Sequence, residues 1–475
     1  MISFILNEKI VETDLPNGST VLDYIRYEKQ LMGTKIGCRE GDCGACTVLI
    51  GDLKDEGMQY QSMTSCLTPL GNVQGKHVLT VEGISTVQRL SPVQDLMVTN
   101  NGTQCGFCTI GFVMSLTGYV LSDESPSYEN AIKSIDGNIC RCTGYKSIER
   151  AAQELSDLLK ERPKENALLW LAENGYVADY MTEIPAKLQS IKNTNGLASA
   201  NGKASDFLMG GGTDLMVQKP ELIRKLNTQN IFDDPTLKGI KTEGNEIIIG
   251  ASTTVTEFGE SPIIRKIFPK LDGYLKLVSS TPIRNMATLG GNLVNASPIG
   301  DMTIFFLGLN SSVVLTNGTT KRTLLLKDLF LDYKKLDRTT DEWIESIQFT
   351  VPERSSHFNF EKVSKRTHLD IASVNSACQL VMNDDDTIAE AHISAGGVSA
   401  IPKYLHKSSA FLKHKQLDHE SLSAFLDVLY SEISPISDAR GTAAYKKLLL
   451  RQLVLSHFMT FFGPIDSIKK VLQEN

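Results

Sequence analysis

Residues 36–46 read IGCREGDCGAC and run directly into the β-branched stretch TVLI at 47–50. Cys38, Cys43 and Cys46 crowd this loop, punctuated by Gly37, Gly41 and Gly44. A loop wrapped around a metal–sulfur group must turn sharply and aim backbone N–H groups at sulfur, and glycine permits both. Cys66 completes the group from the next turn, in the spacing C-x4-C-x2-C-x19-C. Cys105, Cys108, Cys140 and Cys142 repeat the count in another spacing, C-x2-C-x31-C-x-C, so eight of the nine cysteines lie in the first 142 residues.

Four thiolates per group is the ligand count of a 2Fe–2S cluster, and C-x4-C-x2-C…C is the plant-type spacing. Two quartets in tandem predict an electron relay. Zinc also accepts four cysteines. Structural zinc loops usually arrive as two short C-x-x-C-like knuckles, however, and the single residue between Cys140 and Cys142 is unusual for them. The ninth cysteine, Cys378, sits in the apolar run IASVNSACQLVM and reads as a buried strand residue.

Composition bounds the rest. A chain of 475 residues predicts several domains. Its 41% hydrophobic and 22% charged residues describe a soluble globular protein. A formal net charge of −7 gives no reason to expect nucleic acid or an anionic membrane as partner. The start, MISFILNEKIVETD, meets charge at Glu8 and Lys9, which argues against a secretory signal. No apolar run reaches the ~18 residues of a membrane span. The expected location is cytoplasmic, where clustered cysteines mean metal or catalysis rather than disulfides.

Residues 1–85 read as a small β-rich domain. Alternating ISFILN and the stretch Lys9 to Thr13 precede the turn Pro16-Asn17-Gly18, and Ser19 or Thr20 can cap a helix through VLDYIRYEKQ. TVLI and HVLTVEGI read as further strands, and the whole suits a β-grasp ferredoxin. Residues 86–160 switch to helical period in VQDLMV, IGFVMSLTGYVL, YENAIKSI and IERAAQELSDLLK, predicting a small helical bundle. Residues 161–183 contain the linker-like ERPKEN and an apolar stretch, ALLWLAENGYVADYM, with no assigned place. An α/β pattern follows over 184–351 and a smaller α+β one over 352–475. There is no internal repeat.

Two glycine-rich segments stand out. FLMGGGTDLMV, at 207–217, runs an apolar strand into Gly210, Gly211 and Gly212, then Thr213 and Asp214. Bare backbone N–H groups can approach a pyrophosphate closely, and Thr213 adds a hydroxyl. The pattern is not G-x-G-x-x-G, so a Rossmann reading lacks support, and alone it equally describes a plain turn. ATLGGNLVNASPIGD, at 287–301, adds Thr288, Gly290, Gly291, Asn292, Ser297 and Asp301, an acid able to bind ribose hydroxyls. Two such loops in one α/β region suit a bound dinucleotide.

The quartet in QCGFCT…CRCTGY after a plant-type quartet resembles the molybdenum hydroxylases, the xanthine dehydrogenase and aldehyde oxidase family, over essentially the whole chain. Ile110 departs from the family's usual proline, which puts in doubt only how the following helix starts. The resemblance implies a multidomain α+β architecture. A β-grasp 2Fe–2S domain and a helical 2Fe–2S domain lead into an α/β FAD-binding domain of the vanillyl-alcohol-oxidase type and a C-terminal α+β flavoprotein domain. It implies cluster ligation by both quartets. It also implies FAD contacts at Leu208, Met209, Gly210, Gly211, Gly212, Thr213, Asp214 and Leu215, and at Thr288, Leu289, Gly290, Gly291, Asn292 and Asp301. Val278, Ile344 and Lys362 join them as flavin neighbours. Gln104 lies toward the molybdenum cofactor in the family, or is plain surface polarity. FEKVSKRTHLDIASV, at 360–374, is similar to a family segment, although Glu361 stands where an aromatic or lysine is common. Lys365, Arg366 and Asp370 there read equally as local ion pairs. AHISAGGVSAIP matches a structural segment, and the histidines, including His357, His368 and His392, show no metal spacing.

No molybdopterin domain and no nucleophile or general-base constellation is visible in these residues. Iron–sulfur and flavin parts on one chain are similar to the small subunits of bacterial xanthine dehydrogenases. That similarity implies a large molybdopterin-binding partner in an α2β2 heterotetramer. Electrons would run from molybdenum through the second-quartet cluster, then the first, to FAD and NAD+. The same module in an aldehyde- or N-heterocycle-oxidising relative, and a non-enzymatic zinc-bound interaction protein, stay open at this point.

Overall fold

The computed structural model describes residues 1–54, 57–85, 89–194, 207–353, 355–366 and 370–473. The chain folds as two compact units, one of residues 1–233 with 280–287 and one of residues 234–279 with 288–475.

The first unit begins with a five-stranded sheet. Its order is Lys9–Thr13, Ile2–Leu6, His77–Leu79, Thr47–Lys54, Gly57–Thr64, with only the Ile2–Leu6 and His77–Leu79 pair parallel. Thr20 caps the helix Val21–Asp23, its Oγ1 accepting from Asp23 N at 3.0 Å, and the chain continues as a π-helical turn, Tyr24–Glu28. Val21, Leu22 and Ile25 pack on Ile2, Phe4 and Leu6, the grasp geometry expected from the sequence.

The alternation read in ISFILN is not a buried-and-exposed alternation. All five residues Ile2–Leu6 are buried. Phe4 and Leu6 face the helix, while Ile5 faces the other way and joins Leu49, Leu79, Phe112 and Leu116 in a second core. Both sheet faces are covered, so an exposed face never forms. HVLTVEGI likewise gives only a short strand, His77–Leu79, before a 3-10 turn at Val81–Gly83.

The second core belongs to the helices Pro92–Thr99, Thr109–Leu121, Tyr128–Ser134 and Lys146–Leu158. Ser91 and Gln94 form a capping box on the first. Thr109–Leu121 is buried from Gly111 to Val120 and rides on Leu49 at Gly118. The stretch the sequence left unplaced packs here too. Helix Ala167–Glu173 and the 3-10 turn Asp179–Glu183 bury Leu171, Tyr176, Val177 and Met181. Helix Ile184–Thr194 adds Ile184, Leu188 and Ile191.

Residues 207–233 and 280–287 complete this unit. Phe207–Met209 pairs in parallel with Thr228–Asn230, and Met209, Met216, Ile223 and Met286 lie in the core of the N-terminal sheet and helix. Asp23 joins Arg39 at 2.7 Å to Arg224 at 2.5 Å, and Lys76 meets Asp233 at 2.6 Å. Asp136 grips the segment 280–287. It accepts from Thr281 N at 2.8 Å, Thr281 Oγ1 at 3.0 Å and Arg284 Nη2 at 2.8 Å.

The second unit holds a small two-stranded sheet, Phe330–Asp332 with Lys335–Leu336, and two larger antiparallel sheets. One runs Lys321–Leu325, Ser312–Thr316, Trp343–Thr350, Glu246–Gly250, Ile240–Glu243. The other runs Ser356–Val363, Val374–Met382, Ile388–Gly396, Lys403–Tyr404, packed with helices His406–Leu412, His419–Glu432 and Ala443–Phe462. Helix Asp301–Gly308 rides on the second sheet so closely that a Cβ at Gly308 would lie 2.5 Å from that of Ala377. No helix among the described residues is long and apolar enough to cross a membrane.

Candidate cofactor sites

The structure brings the eight cysteines together as four thiol pairs. Cys38 pairs with Cys43 and Cys46 with Cys66, and both members of the second pair feel the charge of Cys38. Cys108 pairs with Cys140 and Cys105 with Cys142. None is in a disulfide. The hydrogen bond from Cys43, with backbone N–H groups of Glu40, Cys43 and Asp42, pulls the Cys38 thiol down to about 5 against burial. Cys43, the donor, is pushed up. Burial, then Cys140, pushes Cys108 up to about 12.

Pairs are what a two-iron cluster requires, because each iron takes two protein ligands. Among the described residues no group of three or more His, Cys, Asp or Glu is placed to hold a metal ion. The loops carry the supporting N–H groups: Glu40 N lies 3.3 Å from Cys38 Sγ, and Thr143 N 3.5 Å from Cys140 Sγ. A Cβ at Gly37 would stand 2.6 Å from Cys43 Sγ, so this glycine leaves room for sulfur.

The two quartets are knitted together. Ile139 N donates to Cys43 O at 3.1 Å, and Asn138 Nδ2 donates to Gly44 O at 3.1 Å. The second quartet is the outer one. Cys105 and Cys142 are exposed with Gln104 and Phe107, whereas Cys46 and Cys66 are buried. Helix Thr109–Leu121 starts directly after Cys108, with Ile110 in its first turn.

The glycine turn of the first unit follows strand Phe207–Met209 and leads into helix Leu215–Gln218, with Gly212 at φ +81°. Gly211 and Gly212 are buried, and no described group accepts from their backbone N–H. Two backbone donors left open in a glycine turn could serve an anionic group such as a pyrophosphate. A Cβ at Gly211 would sit 1.8 Å from Met286 O.

In the second unit, Thr288 caps helix Leu289–Asn295 through Gly291 N at 3.2 Å. Asn292 Oδ1 accepts from Thr303 N at 3.0 Å and Thr303 Oγ1 at 2.9 Å, tying that helix to the one that begins at Asp301. Lys362 Nζ meets Asp301 Oδ2 at 2.7 Å and Leu277 O at 2.7 Å. Asn375 Nδ2 donates to Asp301 Oδ1 at 2.6 Å, and the Asn375 Oδ1 has no hydrogen-bond partner among the described residues. The sequence missed Asn375. Its signal was an amide inside the apolar strand IASVNSACQLVM. Val278 and Ile344 are buried apolar side chains, Ile344 within the sheet opposite Leu315.

Glu361 turns to Asn359 and Ser456, which leaves Lys362 as the inward residue. Arg366 and Asp370 form the expected local pair, at 3.6 Å. Lys365 does not join it and donates to Ala439 O at 2.8 Å instead. His357 stacks on Phe461, His392 bonds Tyr404 OH at 2.7 Å, and His368 lies outside the described residues. Cys378 is fully buried and burial pushes its thiol up.

Four family models match successive segments. These are a 2Fe–2S iron–sulfur cluster binding domain over 4–71 and a 2Fe–2S binding domain over 80–153. An FAD binding domain in molybdopterin dehydrogenase covers 185–353, and a CO dehydrogenase flavoprotein C-terminal domain covers 360–461. The fold is thus multidomain and mixed α and β, built from these four domain types. Xanthine dehydrogenase from Oryza sativa subsp. japonica is 29% identical, aligned over 94% of this chain and 38% of its own length. Xanthine dehydrogenase from Emericella nidulans is 27% identical, over 98% of this chain and 39% of its own length. The chain therefore spans about two fifths of the length of these relatives. A chain of carbon monoxide dehydrogenase from Hydrogenophaga pseudoflava, in a form lacking the Mo-pyranopterin moiety, is 25% identical. It matches with a TM-score of 0.50 over 53% of this chain and 88% of that one. Together the four domains point to the small and medium subunits of molybdenum hydroxylases and support an electron-transfer module.

Proposed function

We propose that this chain is the iron–sulfur and flavin subunit of a xanthine dehydrogenase. The overall reaction hydroxylates hypoxanthine and xanthine to urate, consuming NAD+ and water and forming NADH. The molybdenum site lies on a large molybdopterin-binding partner in a cytoplasmic α2β2 heterotetramer. The observation that carries the reading is the pairing of two four-thiol groups joined through the Ile139–Cys43 hydrogen bond.

Cys38, Cys43, Cys46 and Cys66 hold one cluster, and Cys105, Cys108, Cys140 and Cys142 the other. When bound, the clusters and FAD supply a one-electron relay and two-electron exchange with a nicotinamide. Leu208–Leu215 and Thr288–Asn292 offer backbone and hydroxyl donors to FAD, with Val278, Asp301, Ile344 and Lys362 as its further neighbours. Lys362 fixes the direction of the Asp301 side chain through its 2.7 Å contact with Oδ2. The exposed rim of Cys105 and Cys142 is the side from which a partner's electrons enter.

The test is purification with the native partner and an assay of xanthine-dependent NAD+ reduction, beside iron, flavin and molybdenum content. Reduction driven by aldehydes or N-heterocycles but not by xanthine would reassign the substrate. Protein with stoichiometric zinc and neither iron nor flavin would overturn the reading.

A further inference from the structure

The glycine turn at 210–212 is built onto the N-terminal sheet domain. Pro69 abuts Gly212, and Thr68 Oγ1 lies 3.0 Å from Met286 Sδ. Asn72 stands in the 3-10 turn Leu70–Val73, in the segment that follows Cys66, and is 3% exposed. Its Nδ2 donates to Gly210 O at 3.2 Å and lies 3.5 Å from Gly211 O. Its Oδ1 is buried without a hydrogen-bond partner among the described residues. The reverse amide orientation would set that oxygen against two carbonyl oxygens, so the donor assignment follows from the surroundings.

The peptide bonds here are trans, so each N–H points opposite to its own carbonyl. Anchoring the Gly210 and Gly211 carbonyls on one side directs the N–H groups of Gly211 and Gly212 to the other. Both belong to buried residues, and neither has an acceptor among the described residues. We infer that Asn72, a residue of the cluster-binding sheet domain, is a positioning residue for the pyrophosphate of the dinucleotide. It fixes both glycine peptides with their N–H groups toward the diphosphate. The inference rests on the flavin reading above. It adds a link by which the domain of the first cluster sets flavin affinity.

The test titrates FAD, and separately ADP, into flavin-stripped full-length protein. Wild type is compared with Asn72→Ala and Asn72→Asp, and the first cluster's EPR signal serves as the fold control. Both variants should bind FAD about three- to tenfold more weakly, the worth of one hydrogen bond. ADP, which carries the diphosphate without the flavin ring, should weaken by the same factor, and the EPR signal should not change. Wild-type FAD affinity in either variant overturns the role. So does a loss confined to FAD with ADP unaffected, or loss of the cluster signal in both variants. Failure of the wild-type protein to bind FAD sinks the flavin reading itself, a separate result.

Discussion

The backbone N–H of Ile139 donates to the carbonyl of Cys43 at 3.1 Å, so the residue before Cys140 is bonded to a member of the other quartet. The contact is tight on the glycine side as well. A Cβ at Gly44, where φ is +68°, would lie 2.3 Å from Gly137 O. The two cysteine loops are therefore packed directly against each other.

Each quartet should nonetheless fail separately, because the thiol pairs do not mix between groups. Cys43→Ser should remove one 2Fe–2S EPR signal and Cys142→Ser the other, each leaving the remaining signal. A variant that kept both signals would show that its cysteine is not a ligand.

Gly211 has a reason to be glycine that its motif does not reveal. A side chain there collides first with Met286 O, 1.8 Å from the built Cβ, rather than with a ligand. Gly211→Ala should already lower FAD occupancy severalfold, and Gly211→Val more. Iron content should stay near wild type, since the collision lies outside both cysteine loops. Full flavin occupancy in Gly211→Val, measured after acid release, would contradict the role assigned to this turn.

What was legible in the residues was local. Cysteine spacing, a cap at Ser19 or Thr20 and the helical period of IERAAQELSDLLK each depend on near neighbours; the structure has Thr20 as the cap and a helix over Lys146–Leu158. Long-range partners were not legible. Ile5 is buried because a helical bundle covers the second sheet face. The stretch ALLWLAENGYVADYM, at 167–181, reads as unplaced because its apolar side chains answer to helices from elsewhere in the chain. Nothing in the sequence singles out Asn72 or Asn375 as a site residue, since their partners lie 138 and 74 positions away. The glycine turn was recognised from composition, but its support by Leu67–Asn72 required the fold.

Lys362 and Asp301 form an ion pair whose side chains are 2% and 15% exposed. Removing one partner strands a buried charge, which typically costs roughly 3–5 kcal/mol. Lys362→Met should therefore destabilise the second unit strongly. The double variant Lys362→Met/Asp301→Asn should recover part of the loss, because neither charge is then left alone. Urea unfolding of the flavin-stripped protein reads the difference. Additive losses would show that the pair is not coupled.

Acid should weaken both units through two buried histidines. Burial pushes the His457 pKa down to about 3, and burial, partly opposed by the hydrogen bond to Asn7 O, pushes His77 down to about 4. In the unfolded chain histidine titrates near its ordinary 6.5. Between those values the unfolded state binds protons that the folded state does not, so stability rises with pH. It is fully present above about 6.5 and is lost progressively as pH falls toward 3–4. Asn359 Nδ2 lies 3.0 Å from His457 Nδ1, so a neutral ring accepts there and a protonated one has lost its acceptor. His457→Gln should flatten the dependence of the urea midpoint on pH between about 6.5 and 4 in the second unit. It should leave the first unit, followed by cluster absorbance, on its wild-type profile. An unchanged slope in the second unit would mean that His457 titrates normally in the fold.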